Sequence, residues 1–192
     1  GEVGEAHEEG HEDEPAGHEQ GGGVDPHVWL DPVLMAEVVR GVGNRLADAD
    51  AGHAAEHRSR AEALAARLAE LDRAFASGLA DCVRREFVTS HSAFAYLARR
   101  YGLTEVGISG LAPETEPSPQ RLAEVTSFAR ERGVTTIFFE TLVSPKVAEA
   151  LAREVGVGTG VLDPLEGQPE GGDYFTGMER NLAALRLALG CR

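Results

Sequence analysis

Residues 86–109 read EFVTSHSAFAYLARRYGLTEVGIS, and this stretch decides the fold class. EFVTS, residues 86–90, is a short run suited to a strand. Residues 92–100 suit a helix, and TEVGIS at 104–109 is a second strand. Downstream the alternation continues. A Pro-rich loop at 113–119 precedes a helix carrying Leu122, Val125 and Phe128, and TTIFFE at 135–140 is a third strand. Ser144 and Pro145 then cap a helix carrying Val147, Leu151 and Val155. A fourth strand at 160–162 runs into Asp163, and a last helix covers 173–189. Four strands separated by helices imply βαβ units. The expectation is an α/β fold with a four-stranded, mainly parallel sheet flanked by helices.

Upstream of residue 86 the pattern is helical. Asp31 as N-cap and Pro32 at the first helical position start a helix with Leu34, Val38, Val42 and Leu46 on one face. A second helix is expected over 53–79, its apolar line Leu64, Leu68, Leu71, Phe75 and Leu79. Residues 1–24 hold almost no apolar side chain and cannot offset the entropy of ordering, so they are expected as a disordered acidic, His-rich loop.

Composition narrows the function. The net charge is −14, and residues 1–26 carry nine acids with no Lys or Arg, which leaves 23 of the 32 acids to face 18 basic residues elsewhere. Such a surface does not suit phosphate, so nucleic acid is excluded as a partner. No run of about 18 apolar residues marks a transmembrane helix. The chain opens without Met and without a basic-then-apolar leader, so either a targeting sequence was removed or the chain is part of something longer. Cys82 and Cys191 follow no C-x-x-C spacing. They are two separate buried thiols in a reducing compartment or a disulfide in an oxidising one, and the sequence leaves both open.

In open α/β sheets, ligands bind beyond the carboxyl ends of the strands. His91 follows EFVTS, Glu140 ends TTIFFE and Asp163 follows the fourth strand, so one rim of the sheet gathers three side chains able to bind a metal. Each has a plainer role as well: a capping histidine, a glutamate paired to the next helix, and, for Asp163 before Pro164, ordinary turn chemistry. His27, beside Trp29, carries little weight by spacing alone.

A resemblance sharpens this. DPHVWLDP (25–32), VTSHSAFAYLARRYGL (88–103), PETEPSP (113–119), FFETLVSPKVAEALA (138–152) and VLDPLEG (161–167) occur in the order found in the zinc- and manganese-binding solute-binding proteins of ABC importers, a family that includes adhesins. That family implies two α/β lobes joined by a long backbone helix, with the metal held between the lobes. It also implies capture and delivery of the ion to membrane permease and ATPase subunits. The expected location is extracytoplasmic, periplasmic or lipid-anchored, and the expected state a monomer. Carried over residue by residue, it makes His27, His91 and Asp163 metal ligands and Glu140 a residue behind them. His7, His11 and His18 match its mobile metal-capture loop. The helix from Pro32 resembles its inter-lobe helix. Residues 25–52 are then the end of the first lobe and that helix, and 53–192 the second lobe. A first-lobe histidine is the expected fourth ligand, and the lobe that supplies it should precede residue 1. A His₃Asp set is nitrogen-rich and suits Zn²⁺, with Mn²⁺ the alternative.

One competing motif points to an enzyme. His53, Glu56 and His57 match H-x-x-E-H, in which two histidines one turn apart hold Zn²⁺ and the glutamate is the general base of a peptidase. Three fixed residues in a chain with 7 His are easily met by chance. A third class, a metal buffer using the acidic His-rich segment alone, is also open. Capture in the cleft, without catalysis, is the favoured reading.

Overall fold

The computed structural model describes residues 24–169 and 171–192. The expected disordered loop at 1–24, with His7, His11 and His18, lies outside them apart from Val24. The described chain opens on a 3-10 turn, Val28–Leu30, and enters α1 (Pro32–Ala49). Asp31 caps this helix, its carboxylate accepting the N–H of Val33 and Leu34. After a second 3-10 turn comes α2 (Ala54–Gly78), the long helix ahead of the sheet.

β1 (Glu86–Thr89), α3 (Ala95–Arg100), β2 (Thr104–Gly107), α4 (Pro119–Glu131), β3 (Thr136–Phe139), α5 (Lys146–Val155) and β4 (Gly158–Val161) alternate strand and helix, and α6 (Tyr174–Leu189) closes the chain. All three strand pairings are parallel, in the order β2-β1-β3-β4. The chain moves from β1 outward to β2, then returns across β1 to β3 and β4. The direction of winding therefore changes between β1 and β3, which is where open parallel sheets place ligands.

Side chains alternate across the sheet as the two-residue strand period requires. Phe87 and Phe138 face one layer with Leu68, Phe75, Leu97, Met178 and Leu185 from α2, α3 and α6. Val88 and Ile137 face the other, with Val125, Ala129 and Leu151 from α4 and α5. On α2 the expected line is buried at Leu68, Leu71, Phe75 and Leu79. On α1 the outcome differs. Val38, Val42 and Leu46 are exposed, and the residues buried after Pro32 are Ala36, Gly43 and Ala47. A Cβ at Gly43 would stand 2.4 Å from the Cβ of Ala61, so the two helices approach closely there, while Met35 and Val39, off the expected stripe, pack against the core.

Cys82 and Cys191 form a disulfide that spans 109 residues. Around it Arg84 N–H donates to Leu189 C=O and Arg192 N–H to Asp81 C=O. The C-terminus is thereby fastened at the end of the sheet where β1 begins.

Candidate metal centre

His91 is carried two residues past β1 and is 1% exposed, as is His27 on the segment just before α1. Their Nε2 atoms lie 3.4 Å apart. The third atom at this point is Glu166 Oε1, 3.1 Å from His27 Nε2 and 3.7 Å from His91 Nε2. Among the described residues these three side chains form the one group of His, Cys, Asp or Glu ligand atoms lying within 4.8 Å of one another. The edge of a tetrahedron around Zn²⁺ with ligands at about 2.0–2.1 Å is about 3.3–3.4 Å, so the triangle has the size of one face of such a site.

Each histidine is held by a carboxylate at its other nitrogen. His27 Nδ1 lies 2.7 Å from Asp25 Oδ1, which also accepts the His27 backbone N–H. His91 Nδ1 lies 2.5 Å from Glu140 Oε1. With each Nδ1–H donating to its carboxylate, both Nε2 lone pairs face the centre of the triangle. This is the arrangement by which second carboxylates fix metal-binding imidazoles.

Glu140, one residue past β3, is buried beside His91, and the Ser90 hydroxyl donates to its Oε1. Its Oε2 is buried with no hydrogen-bond partner in the described structure. Burial opposes a charge on His91, but Glu140, Glu166 and Glu105 together outweigh it and raise the His91 pKa above its ordinary value. Glu105 on β2 reaches under the same loop. It accepts the Ala93 and Phe94 N–H groups and the Thr89 hydroxyl, and burial pushes its carboxyl up to about 7 against those hydrogen bonds.

Asp163, expected as a ligand, is not part of this group. Its Oδ1 accepts the Leu165 N–H at 2.8 Å and its Oδ2 the Thr141 hydroxyl at 3.3 Å. The plainer reading, turn chemistry before Pro164, describes its position, and the carboxylate brought to the histidines is Glu166 three residues later. Sequence reasoning passed over Glu166. The available signal was that a carboxylate spent on its own turn leaves the next one on the loop to face the rim.

The H-x-x-E-H residues gather around another acid. His53 Nδ1 lies 2.9 Å and His57 Nε2 3.3 Å from Asp50 Oδ2, and Glu56 pairs with Arg60. The exposed tip of the α1 and α2 hairpin thus holds a local cap, with the glutamate engaged away from both histidines.

Comparison with known proteins gives a consistent picture. The family model for ZnuA, zinc-uptake complex component A, periplasmic, matches residues 2–188. The zinc-binding protein AdcA of Streptococcus pyogenes is 41% identical over 168 residues, 85% of this chain and 33% of that protein. The high-affinity zinc uptake system protein ZnuA of Bacillus subtilis is 39% identical over 171 residues, 86% of this chain and 54% of that protein. The solved structure of the laminin-binding protein Lmb of Streptococcus agalactiae, described as bifunctional with adhesin and metal-transporting activity, matches with a TM-score of 0.83 and 38% identity. It is matched over 86% of this chain and 65% of that one. The chain therefore spans only a third to about half the length of the relatives AdcA and ZnuA.

Proposed function

We propose a function from one premise: the chain belongs to the ZnuA family of zinc-uptake components. It captures Zn²⁺ outside the cytoplasm and passes it to the permease and ATPase subunits of an ABC importer. The observation that carries this is the convergence of His27 Nε2, His91 Nε2 and Glu166 Oε1. Two imidazoles and a carboxylate are a nitrogen-rich set for an ion of borderline softness, which favours Zn²⁺ over the Mn²⁺ alternative. The fourth position is filled from outside the described residues. The missing share of the relatives' length, or a histidine among His7, His11 and His18, is the candidate source.

Support for the compartment comes from the bond between Cys82 and Cys191, since disulfides persist in oxidising surroundings. The family description says periplasmic, and a Streptococcus pneumoniae relative is a zinc-binding lipoprotein. We read Zn²⁺ as cargo and the chain as no enzyme, because the peptidase motif is turned to Asp50 and Arg60.

The test is competition for Zn²⁺ against a fluorescent chelator. His27→Ala, His91→Ala and Glu166→Gln should each weaken binding by at least about tenfold, since each removes a ligand atom. If deletion of residues 1–23 abolished binding while His91→Ala left it unchanged, the cleft reading would fail and the buffer reading would replace it.

A further inference from the structure

Glu166 is the least enclosed of the three converging side chains, with 30% of its side chain exposed. It has no packed core to aim it, so its direction depends on the backbone of the loop after β4. That loop contains Leu165, whose φ of 58° is the only positive value at a residue other than glycine in the described structure. An L side chain rarely takes this conformation, and something around it must enforce it.

The enforcing contacts converge from three elements. Asp163 Oδ1 accepts the Leu165 N–H at 2.8 Å, which closes the turn. Asn181 on α6, 2% exposed, holds Asp163 by both backbone groups: its Oδ1 accepts the Asp163 N–H at 2.9 Å and its Nδ2 donates to the Asp163 C=O at 2.6 Å. One turn earlier on α6, Gly177 makes room for the Leu165 side chain; a Cβ there would stand 2.5 Å from Leu165 Cδ2. From the other side the indole N–H of Trp29 donates to Pro164 C=O at 2.7 Å, and Tyr174 in turn donates its hydroxyl to the Trp29 C=O. Trp29 is two residues from His27. The segment bearing one ligand is therefore fastened to the loop bearing another.

We infer that Asn181 and Asp163 are positioning residues for the metal site: Asn181 fixes Asp163, Asp163 holds Leu165 in the left-handed turn, and the turn directs Glu166 to the two histidines. This rests on the reading of His27, His91 and Glu166 as the Zn²⁺ site. An asparagine suits the position because it offers a donor and an acceptor side by side, matching one residue's C=O and N–H. An aspartate suits 163 for its oxygen acceptor, and its charge is not needed there.

The test is a set of Zn²⁺ competition titrations on the intact protein. Asn181→Ala and Asp163→Ala should each weaken binding about tenfold, the scale for residues that orient ligands. Asp163→Asn keeps the acceptor and should recover most of what Asp163→Ala loses. In the Glu166→Gln background both alanine variants should cost less than about twofold, because they act through the side chain already disabled. Equal losses in both backgrounds, or Asp163→Asn as weak as Asp163→Ala, would overturn the inference; the second result would return the Asp163 charge to the metal. If Glu166→Gln alone left affinity unchanged, the reading of the site would fall instead. Should Asn181→Ala not fold, the Asp163 pair, on a half-buried loop residue, decides the matter.

Discussion

His91 and His27 face each other through their Nε2 atoms at 3.4 Å, each with its Nδ1 committed to a carboxylate. Two imidazole lone pairs at that distance repel unless a proton or a metal ion lies between them. Glu140 keeps His91 in this tautomer, so Glu140→Ala should weaken Zn²⁺ binding about 10–100-fold while His91 stays in place. Competition titration beside the wild type checks this, and an unchanged affinity would remove Glu140 from the site. The same carboxylates make a pH prediction. Zn²⁺ must displace the His91 proton, so affinity should rise with pH through the raised His91 pKa. Stability of the metal-free protein should move the other way. A raised folded pKa contributes stability that is complete below the unfolded value and lost as pH rises through the folded one. For His91 the loss begins near its unfolded 6.5, and for Glu105 it runs from 4.5 to about 7. Thermal scans of metal-free protein should show a falling Tm over that range, flatter in Glu105→Gln. A Tm that climbs equally in both proteins would contradict it. At this scale the sequence was half legible. Strand ends pointed to His91 and Glu140 because the rim rule needs only topology. Glu166 was hidden because its aim depends on the handedness of one turn at Leu165, which residue identity alone does not reveal.

The elements themselves were readable because βαβ units declare their period. All four strands and the helices between them lie where the apolar runs put them, with ends moved by a few residues. The α1 surface was less readable. Its stripe Leu34, Val38, Val42 and Leu46 has helical spacing, yet the residues buried after Pro32 are Ala36, Gly43 and Ala47, and Gly43 faces Ala61 of α2. Close approach of two helices rewards small side chains, and a hydrophobicity pattern counts them as weak. Gly43 gives the test. Alanine there gains helix propensity of about 0.5–1 kcal/mol. Its Cβ, however, would overlap Ala61, a Cβ contact of 2.4 Å in which neither side can rotate away. Overpacking of this kind costs about 1–3 kcal/mol, so Gly43→Ala should be destabilising overall. Urea unfolding measures it, and a midpoint at or above wild type would mean that the helices separate freely at this point. Zn²⁺ affinity should hold, since the contact lies away from His27 and His91.

Across the described residues, the candidate metal centre and the disulfide occupy opposite ends of the sheet. Of the candidate ligands, His91 and Glu166 sit past the carboxyl ends of β1 and β4, with Glu140 past β3 between them and His27 brought in from the segment before α1. The disulfide sits ahead of β1, where Thr135 just before β3 also donates its hydroxyl to Ala188 C=O, so the end of α6 is tied to both central strands. A bridge closing a loop of 109 residues restricts the unfolded chain strongly. The chain-entropy model assigns about 4–5 kcal/mol to a loop of that length. Reduction should therefore lower the unfolding midpoint by a large fraction of a domain's stability, which is about 5–15 kcal/mol in total. The loop after β1 that carries His91 is braced separately, by Glu105 accepting from Ala93 and Phe94 and by Ser92 N–H donating to Gly110 C=O. Under conditions where the reduced chain is still folded, its Zn²⁺ affinity should lie within about twofold of the oxidised form, as expected for distant sites with no shared partners. Paired denaturation and chelator titrations, with and without reductant, separate the two effects. A loss of affinity parallel to the loss of stability would show that the two ends of the sheet are energetically coupled, and the disulfide would then belong to the binding mechanism.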